Sequence, residues 1–493
     1  MFDKFKLSAK QVFIYSLGNI FSKLVGFILL PLYSQHISIS DYSSLILIEP
    51  IWQLLSAVLS FSLPTALLRW LAPEKDFKRQ GSMVFTTLMA LVFILLAFNL
   101  LAFPFNAWVN HQGVYDDPKF KLYLDISFLL VTFDVLNLLV LSLLRFHEKP
   151  WQYIILNTLK LSVNLGLNIY FIVRLKMGVE AILLSQLIAS VLLNIFSSPF
   201  LIKHLVPKFE VGPLKEMLKY GFPLIFTSIS AIILSLGDRY VVQHFLTRSD
   251  TGVYGIGYKF GGIINMFIIQ SFQLGFLPIA YKMLEDAGAK RFFSRIFTYY
   301  FGILMLSAFA LSVFSHEIVA IFTLGNPDYM RAYVVIPLIS FGFVLKGTQT
   351  YFSLGLHYVK KTKYNAWIVM LCAVFSIGMN ILLVPKMGIY GAALMMLVSN
   401  GLLALFFYLF SQKFYYIRFE GIRLLKLLFT GLALFFIGYF IPVRSLLISI
   451  LLKLILLMAF PLILYLLRFF DKDEVNRLLK MVHALHLKKP IKK

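Results

Sequence analysis

Apolar residues run along this chain in long blocks, broken by short polar stretches, from one end to the other. A block of about 20 apolar residues, rising ~1.5 Å each as a helix, crosses the hydrocarbon core of a bilayer. Fourteen such blocks are predicted, at residues 10–35, 43–70, 81–109, 121–146, 151–174, 178–203, 218–246, 252–283, 292–323, 331–358, 364–385, 388–412, 422–442 and 445–470. Pro31, Pro50, Pro64, Pro223 and Pro278 interrupt several of them. Such breaks are tolerated where a helix faces protein or a cavity. The pattern predicts an all-α polytopic membrane protein.

Composition agrees. The 493 residues are 59% hydrophobic and 14% charged, with 50 phenylalanines. A soluble domain is nearer half apolar and a quarter charged. A soluble enzyme, a disordered chain and a nucleic-acid-binding protein are excluded. The net charge of +23 sits at the ends of the apolar blocks, where Lys and Arg set topology. The lone Cys372 excludes a disulfide framework, and no GxxxxGK provides a nucleotide site. The histidines are scattered, and the close pair His483 and His486 lies in a basic tail. No catalytic residue, metal site or cofactor is expected. Val12 to Tyr33 is long enough to span, carries Lys23 in its middle and has no small-residue cleavage site after it. It is expected to be a span rather than a cleaved signal.

With the N-terminus inside, 32 of the 46 Lys and Arg fall in inner loops and tails and 8 in outer loops. That bias, under strict alternation, predicts an even number of spans with both termini cytoplasmic. All loops are short, so no soluble domain is expected. Beyond Asp471, Val475, Leu478, Leu479, Val482 and Leu485 share one helical face. This tail reads as a basic amphipathic helix on the inner leaflet, or as a frayed end.

The chain also repeats itself. Gln35-His36 with Asp41-Tyr42 returns as Gln243-His244 with Asp250 and Tyr254. Leu144-Arg145-Phe146-His147 returns as Gly355-Leu356-His357, each before a basic cluster. Asn168 with Lys176-Met177-Gly178-Val179 returns as Asn380 with Lys386-Met387-Gly388-Ile389. The period covers six spans, an even number, so the two copies share one orientation and form parallel lobes. The expected units are a first lobe at 1–206, a second at 207–416, two added spans at 417–470 and the tail at 471–493. Transporters bind substrate between such lobes and rock one against the other. A membrane-embedded glycan polymerase or glycosyltransferase has no need of this symmetry and usually needs larger loops.

Six basic residues remain at membrane depth: Lys23, Lys160, Arg239, Lys259, Lys346 and Lys453. Glu49, Asp134, Glu180 and Asp238 join them, with Asp125 at the border. Each such charge costs about 2.5–3.5 kcal/mol on insertion scales, so each is expected to face protein or water. Lys453, in an added span, could snorkel to a surface and is expected to be structural. Arg239 either lines a cavity or snorkels; its neighbour Asp238 points elsewhere and does not pair with it. Lys160 lies on a stripe with Asn157, Asn164 and Asn168, either interhelical glue or a cavity wall, within reach of Asp134. Lys23, Lys259 and Lys346 are expected to line a cavity. Cations outnumber acids, and Lys and Arg are the phosphate-binding side chains. A cavity of this sign beside aromatic rings suits a diphosphate attached to a sugar or a lipid.

Tyr220-Gly221-Phe222-Pro223-Leu224, Asp238-Arg239-Tyr240, Gly252-Val253-Tyr254 and Tyr258 resemble the start of the second lobe in bacterial oligosaccharide (O-antigen type) flippases. Lys361-Thr362-Lys363, Asn380, Pro385-Lys386-Met387-Gly388 and Gly391-Ala392-Ala393 continue the likeness. So do Asp41-Tyr42 and Leu67-Leu68-Arg69 in the first lobe, although Ser43 stands where the family has Gly. The family belongs to the multidrug/oligosaccharidyl-lipid/polysaccharide exporter superfamily. The resemblance implies a two-lobed carrier in the bacterial inner membrane. It would flip an undecaprenyl-diphosphate-linked glycan from the inner to the outer leaflet by alternating access, with glycan polymerase or export machinery as a candidate partner. It also implies that Lys23, Arg69, Arg239 and Lys259 fall where such cavities bind the headgroup. Lys346 and Lys160 complete the candidate substrate-binding set, and Glu49, Asp134 and Asp238 are candidate coupling-ion sites. An ion-coupled drug or metabolite antiporter of the same fold and a lipid II-type flippase remain alternative readings.

Overall fold

The computed structural model describes residues 27–115, 117–283, 286, 288–358, 363–439 and 446–470. Lys23 and the tail from Asp471 lie outside them, as does most of the first predicted span. The described residues fold into helices in this order: α1 Leu30–His36, α2 Ile39–Leu59, α3 Leu63–Leu71, α4 Phe77–His111, α5 Phe120–Phe146, α6 Pro150–Ile169 and α7 Val179–Lys203. Then follow α8 Val211–Leu236, α9 Asp238–Phe245, α10 Arg248–Gly261, α11 Gln270–Met283, α12 Ala289–Val313 and α13 Ser315–Phe322. The series closes with α14 Pro327–Met330, α15 Ile336–Phe352, α16 Leu354–Tyr358, α17 Lys363–Met387, α18 Ile389–Phe414, α19 Gly421–Tyr439 and α20 Leu446–Leu466.

Among the described residues, twelve helices are long and apolar enough to cross a membrane, and thirteen if the bent pair around Val335 counts as one span. That pair turns by 46° between Pro327–Val334 and Ile336–Leu356. Each predicted block after the first has a counterpart. The second is broken where Phe61 and Ser62 take left-handed backbone angles (φ 46° and 52°), between α2 and α3. Two helices carry π-helical turns, at Tyr170–Arg174 and Asn265–Ile269.

Two lobes pack side by side. In the first, α5 and α6 lie on α7, and α4 lies on α5. In the second, α15 and α17 lie on α18, and α12 lies on α15. The added helices α19 and α20 pack on α12 and on each other. The lobes meet where α2 touches α10 and α8, and where α3 touches α8.

The sequence repeat has a plain local cause. Asp41 and Asp250 each stand three residues after a helix cap. The Ser38 hydroxyl donates to Asp41 at 2.7 Å and the Thr247 hydroxyl to Asp250 at 2.7 Å. The same hydroxyls accept the backbone N–H groups of Asp41 and Asp250, so α2 and α10 start alike. Asn168 and Asn380 each donate to the carbonyl one turn earlier, at 2.9 and 2.8 Å. The matching residues set helix ends and satisfy backbone groups.

Small residues let the lobes approach. A Cβ at Gly252 on α10 would collide with the carbonyl oxygen of Ile39, and one at Gly255 with the side chain of Ile46. On its other side α10 faces Val335 and Ile339 through Gly257 and Gly261. Without a hydrophobic drive between helices in lipid, such close packing supplies much of the association.

Gly252→Ala is therefore expected to lower the melting temperature of the detergent-purified protein, at an overpacking cost of about 1–3 kcal/mol. Gly378→Ala, where a Cβ meets nothing within 4 Å, is expected to leave it unchanged or raise it. Equal melting of the two variants would contradict a tight α2–α10 contact.

Candidate functional site

Between the lobes lies a cavity of about 500 Å³, walled by α2 and α7 on one side and by α8 to α11 and α15 on the other. Its charged residues are Glu49, Arg239, Lys259 and Lys346, with Tyr42, Trp52, Tyr258 and Phe343 among its rings. Three cations thus face one acid in a cavity inside the helical bundle. The structure brings together residues separated by almost 300 positions in the chain.

Arg239 owes its place to the break at Gly237, which ends α8 and starts α9. Its guanidinium is buried, donates to Glu49 at 2.9 Å and lies 4.7 Å over the ring of Tyr258. This ion pair joins the two lobes directly. Of the two alternatives for Arg239, the structure takes the cavity. Asp238 points away, as helix geometry required, and accepts from the Tyr254 hydroxyl. Its second carboxylate oxygen has no hydrogen-bond partner among the described residues.

The two lysines are held differently. Lys259 Nζ donates to the Tyr42 hydroxyl at 3.2 Å and lies 5.6 Å over Phe27 and 6.0 Å over Tyr42. Lys346 Nζ donates to Ser235 Oγ at 3.0 Å and lies 5.6 Å over Phe343. Neither has a carboxylate at ion-pair distance among the described residues. Ring faces and hydroxyls offset part of the cost of burying an ammonium but do not neutralise it. An anion entering the cavity would. The π-helical turn at Asn265 brings that side chain and Gln270 into the wall beside them.

The other candidates stand apart. Lys160 binds Asp134 at 2.8 Å, and Ser190 donates to the same carboxylate at 2.6 Å. This pair lines a second cavity of about 600 Å³ that shares Trp52 and Gln53 with the first. Its charge is already balanced. The asparagine stripe beside Lys160 divides: Asn168 accepts from Tyr33 on α1 at 3.0 Å, while Asn157 bonds its own helix. Arg69 is exposed at the end of α3, 4.7 Å over Tyr220, where Trp70 donates to Glu216 at 3.0 Å. It is not in the wall of the central cavity. Lys23 lies outside the described residues.

Two expectations change. Lys453 is structural, but by pairing rather than by snorkelling; it reaches Glu317 at 2.6 Å, and Ser449 donates to the same carboxylate at 2.5 Å. Glu317 sits near the end of a predicted span, where an acid carries no signal in the sequence. A buried Lys without a partner on its own helix was the available sign of an acid elsewhere. Glu180 is not at mid-membrane either. It sits in the first turn of α7 and binds Lys119 at 2.9 Å.

That second pair belongs to a polar cluster at the ends of α2, α7 and α10. Arg248 donates to Asp117 at 2.7 Å and to Ser44 at 2.8 Å, and Ser44 donates to Asp117 at 2.9 Å. Arg331 binds Asp250 at 2.6 Å. Asn326 donates to the Ser34 carbonyl at 2.6 Å and the Tyr329 hydroxyl to the Ile37 carbonyl at 2.9 Å. The lobes are thus tied together at this end. Burial alone would raise the carboxyl pKa of Asp117; the backbone N–H of Lys119, Arg248 and Ser44 hold it below the ordinary range.

Residues 8–284 match the family described as polysaccharide biosynthesis protein. The chain belongs to that family. A protein of the Lsg locus of Haemophilus influenzae is 24% identical over 286 residues, 56% of this chain and 67% of that one. The uncharacterized membrane protein MJ1375 of Methanocaldococcus jannaschii is 21% identical over 410 residues, 78% of this chain and 93% of that one. Among solved structures, the lipid II flippase MurJ in an inward closed conformation superposes with a TM-score of 0.75 at 18% identity, over 92% of this chain and 99% of that one. An inward-facing multidrug resistance MATE family transporter superposes at 0.66 and 14% identity, over 86% of this chain and 99% of that one. This family member therefore has the two-lobed fold of the multidrug/oligosaccharidyl-lipid/polysaccharide exporter superfamily. The resemblance read from the short motifs agrees with both findings.

A thermodynamic cycle on Glu49→Gln and Arg239→Gln, read by thermal melting, is expected to show a coupling of roughly 0.5–3 kcal/mol. Strict additivity would mean the pair does not bridge the lobes. A carboxyl whose folded pKa is depressed adds stability above its unfolded pKa of about 3.9 and loses it as pH falls through the folded value. Asp117→Asn is thus expected to lower the melting temperature by a constant amount at every pH above about 5. The difference should close only in stronger acid. A difference that closes between roughly pH 8 and pH 6 would contradict the depressed carboxyl.

Proposed function

We propose that the chain flips a polyprenyl-diphosphate-linked oligosaccharide from the inner to the outer leaflet of the bacterial cytoplasmic membrane. The observation that carries this reading is the inter-lobe cavity with three cations against one acid, two of the cations having no carboxylate partner among the described residues. The diphosphate is drawn to Lys259 and Lys346, with Arg239 held ready beside them by Glu49. Tyr42, Trp52 and Tyr258 offer flat faces, and Gln53, Asn265 and Gln270 offer amides, to the sugars. The polyprenyl tail stays in the lipid. Membership of a polysaccharide biosynthesis family supports a glycan as the cargo. A lipid II-type cargo shares the diphosphate, and the charge of the cavity does not separate the two.

The tied ends of α2, α7 and α10 are the outer ends in the orientation read from Lys and Arg, with both termini cytoplasmic. The described arrangement is then closed outward. Release of cargo outside requires the Arg248–Asp117 pair and the hydrogen bonds from Asn326 to Ser34 and from Tyr329 to Ile37 to part while the lobes, at 1–206 and 207–416, rock about their contact. Asp238 is the favoured coupling site. It is buried, one of its oxygens has no partner among the described residues, and it lies next in sequence to Arg239 in the cavity wall. Glu49 and Asp134 are already matched by Arg239 and Lys160. Lys23 keeps the cavity role given by its sequence position, and Arg69 would act at the mouth rather than in the central cavity.

In cells lacking the native gene, Lys259→Gln and Lys346→Gln are each expected to cut restoration of surface glycan by roughly tenfold or more, the worth of a charged hydrogen bond. Lipid-linked oligosaccharide should accumulate on the inner leaflet, with folded protein retained. Lys160→Gln should cost less. Wild-type flux in both lysine variants would sink the cavity assignment. Normal lipid-linked glycans in the deletion strain would remove the glycan cargo and direct attention to drug or cation efflux.

A further inference from the structure

Away from the central cavity, the second lobe and the added helices share a groove of about 690 Å³. It is built where three transmembrane helices end together: the first turns of α12 and α19 and the strand of chain that leaves α18. Lys290, Arg291, Arg295, Arg418 and Arg423 line it, with Glu420 as the one acid among its lining residues. Glu420 is engaged already, accepting from Thr298 at 2.7 Å and Arg423 at 3.1 Å. Arg423 is further fixed by ring faces, 4.6 Å over Phe469 and 5.7 Å over Tyr299. Arg291 and Arg418 are exposed and have no carboxylate partner among the described residues. The groove shares no lining residue with either cavity between the lobes.

With Arg423 matched by Glu420, Arg291 and Arg418 keep the groove positive and attract an anion. The surroundings say which anion. Tyr416 and Ile422, in the wall, are 62% and 74% exposed, and Leu425 and Phe429 continue an exposed apolar face along α19. The groove therefore joins a cationic floor to an apolar helix face running into the bilayer. A free phosphate would use the floor alone. A phospholipid would use both, its phosphate among the arginines and its acyl chains along α19. Basic recesses between transmembrane helices at the cytoplasmic surface suit anionic headgroups. We infer that this groove is a binding site for an anionic phospholipid, which seats α19 and α20 against the second lobe. Lys426 strengthens that seat by donating to the Leu467 carbonyl at 2.7 Å, which joins α19 to the end of α20.

The test uses the full chain purified in detergent and reads thermal unfolding, so it does not depend on transport. Phosphatidylglycerol is titrated in mixed micelles against phosphatidylcholine and against inorganic diphosphate. Phosphatidylglycerol alone should raise the melting temperature. The combined variant Arg291→Gln, Arg295→Gln, Arg418→Gln should need roughly a hundredfold more of it or lose the shift, since each cation contributes about fivefold. The combined variant with Lys at the same three positions should keep most of it, which separates charge from folding. An equal shift with inorganic diphosphate would make this a free-anion site. An unchanged shift in the Gln variant, or no lipid-specific shift in the native protein, would also overturn the assignment.

Discussion

The structure depends on one constraint: a charge placed at membrane depth must find either a partner or water. The cations of the described core answer it in one of these two ways. Arg239 finds Glu49 across the lobe interface, Lys160 finds Asp134 within the first lobe, and Lys453 finds Glu317 between an added helix and the second lobe. Lys259 and Lys346 find hydroxyls, ring faces and the central cavity. The paired charges hold helices together. The two lysines keep their charge available. Desolvating a single ion costs several kcal/mol even after relaxation, so an arrangement of this kind persists only where water or an arriving anion shares the cost.

The same constraint explains how the lobes are joined. Their contact has few options in lipid, where apolar surface gains little by leaving the solvent. It uses close approach through Gly252 and Gly255, one bridging ion pair between α2 and α9, and at one end the half-buried Arg248–Asp117 pair with the hydrogen bonds of Asn326 and Tyr329. The polar contacts at that end are individually modest. Modest terms suit an end that opens and closes in the proposed transport cycle, because a contact of many small terms can be exchanged for another set at little net cost. The Arg239–Glu49 pair, with its guanidinium buried and its carboxylate open to the cavity, is of another kind and fixes the register of α2 against α9.

Much of this was legible in the sequence, for physical reasons that can be named. Spans are visible because lipid forbids unsatisfied backbone, which forces long apolar helices. The two lobes are visible because each begins its cavity helices with the same cap, Ser38 to Asp41 and Thr247 to Asp250, and the cap motif is local. Lys259, Lys346 and Arg239 stand out because a charge in an apolar run is costly whatever surrounds it. Glu317 and Asp117 did not stand out. Each lies at the edge of a span, where an acid is unremarkable until its partner, Lys453 or Arg248, is seen beside it.

The sequence by itself determined that this is a helical membrane protein with parallel lobes and a surplus of buried cations, since hydropathy, caps and charge are properties of single positions or short windows. Tertiary structure decided which cations remain available. Lys160, Arg239 and Lys346 look alike in a hydropathy trace. Only packing brings Asp134 to the first and Glu49 to the second and leaves the third beside Ser235. Neutralisation is a matter of a few ångströms between residues distant in the chain, and no local pattern encodes that distance.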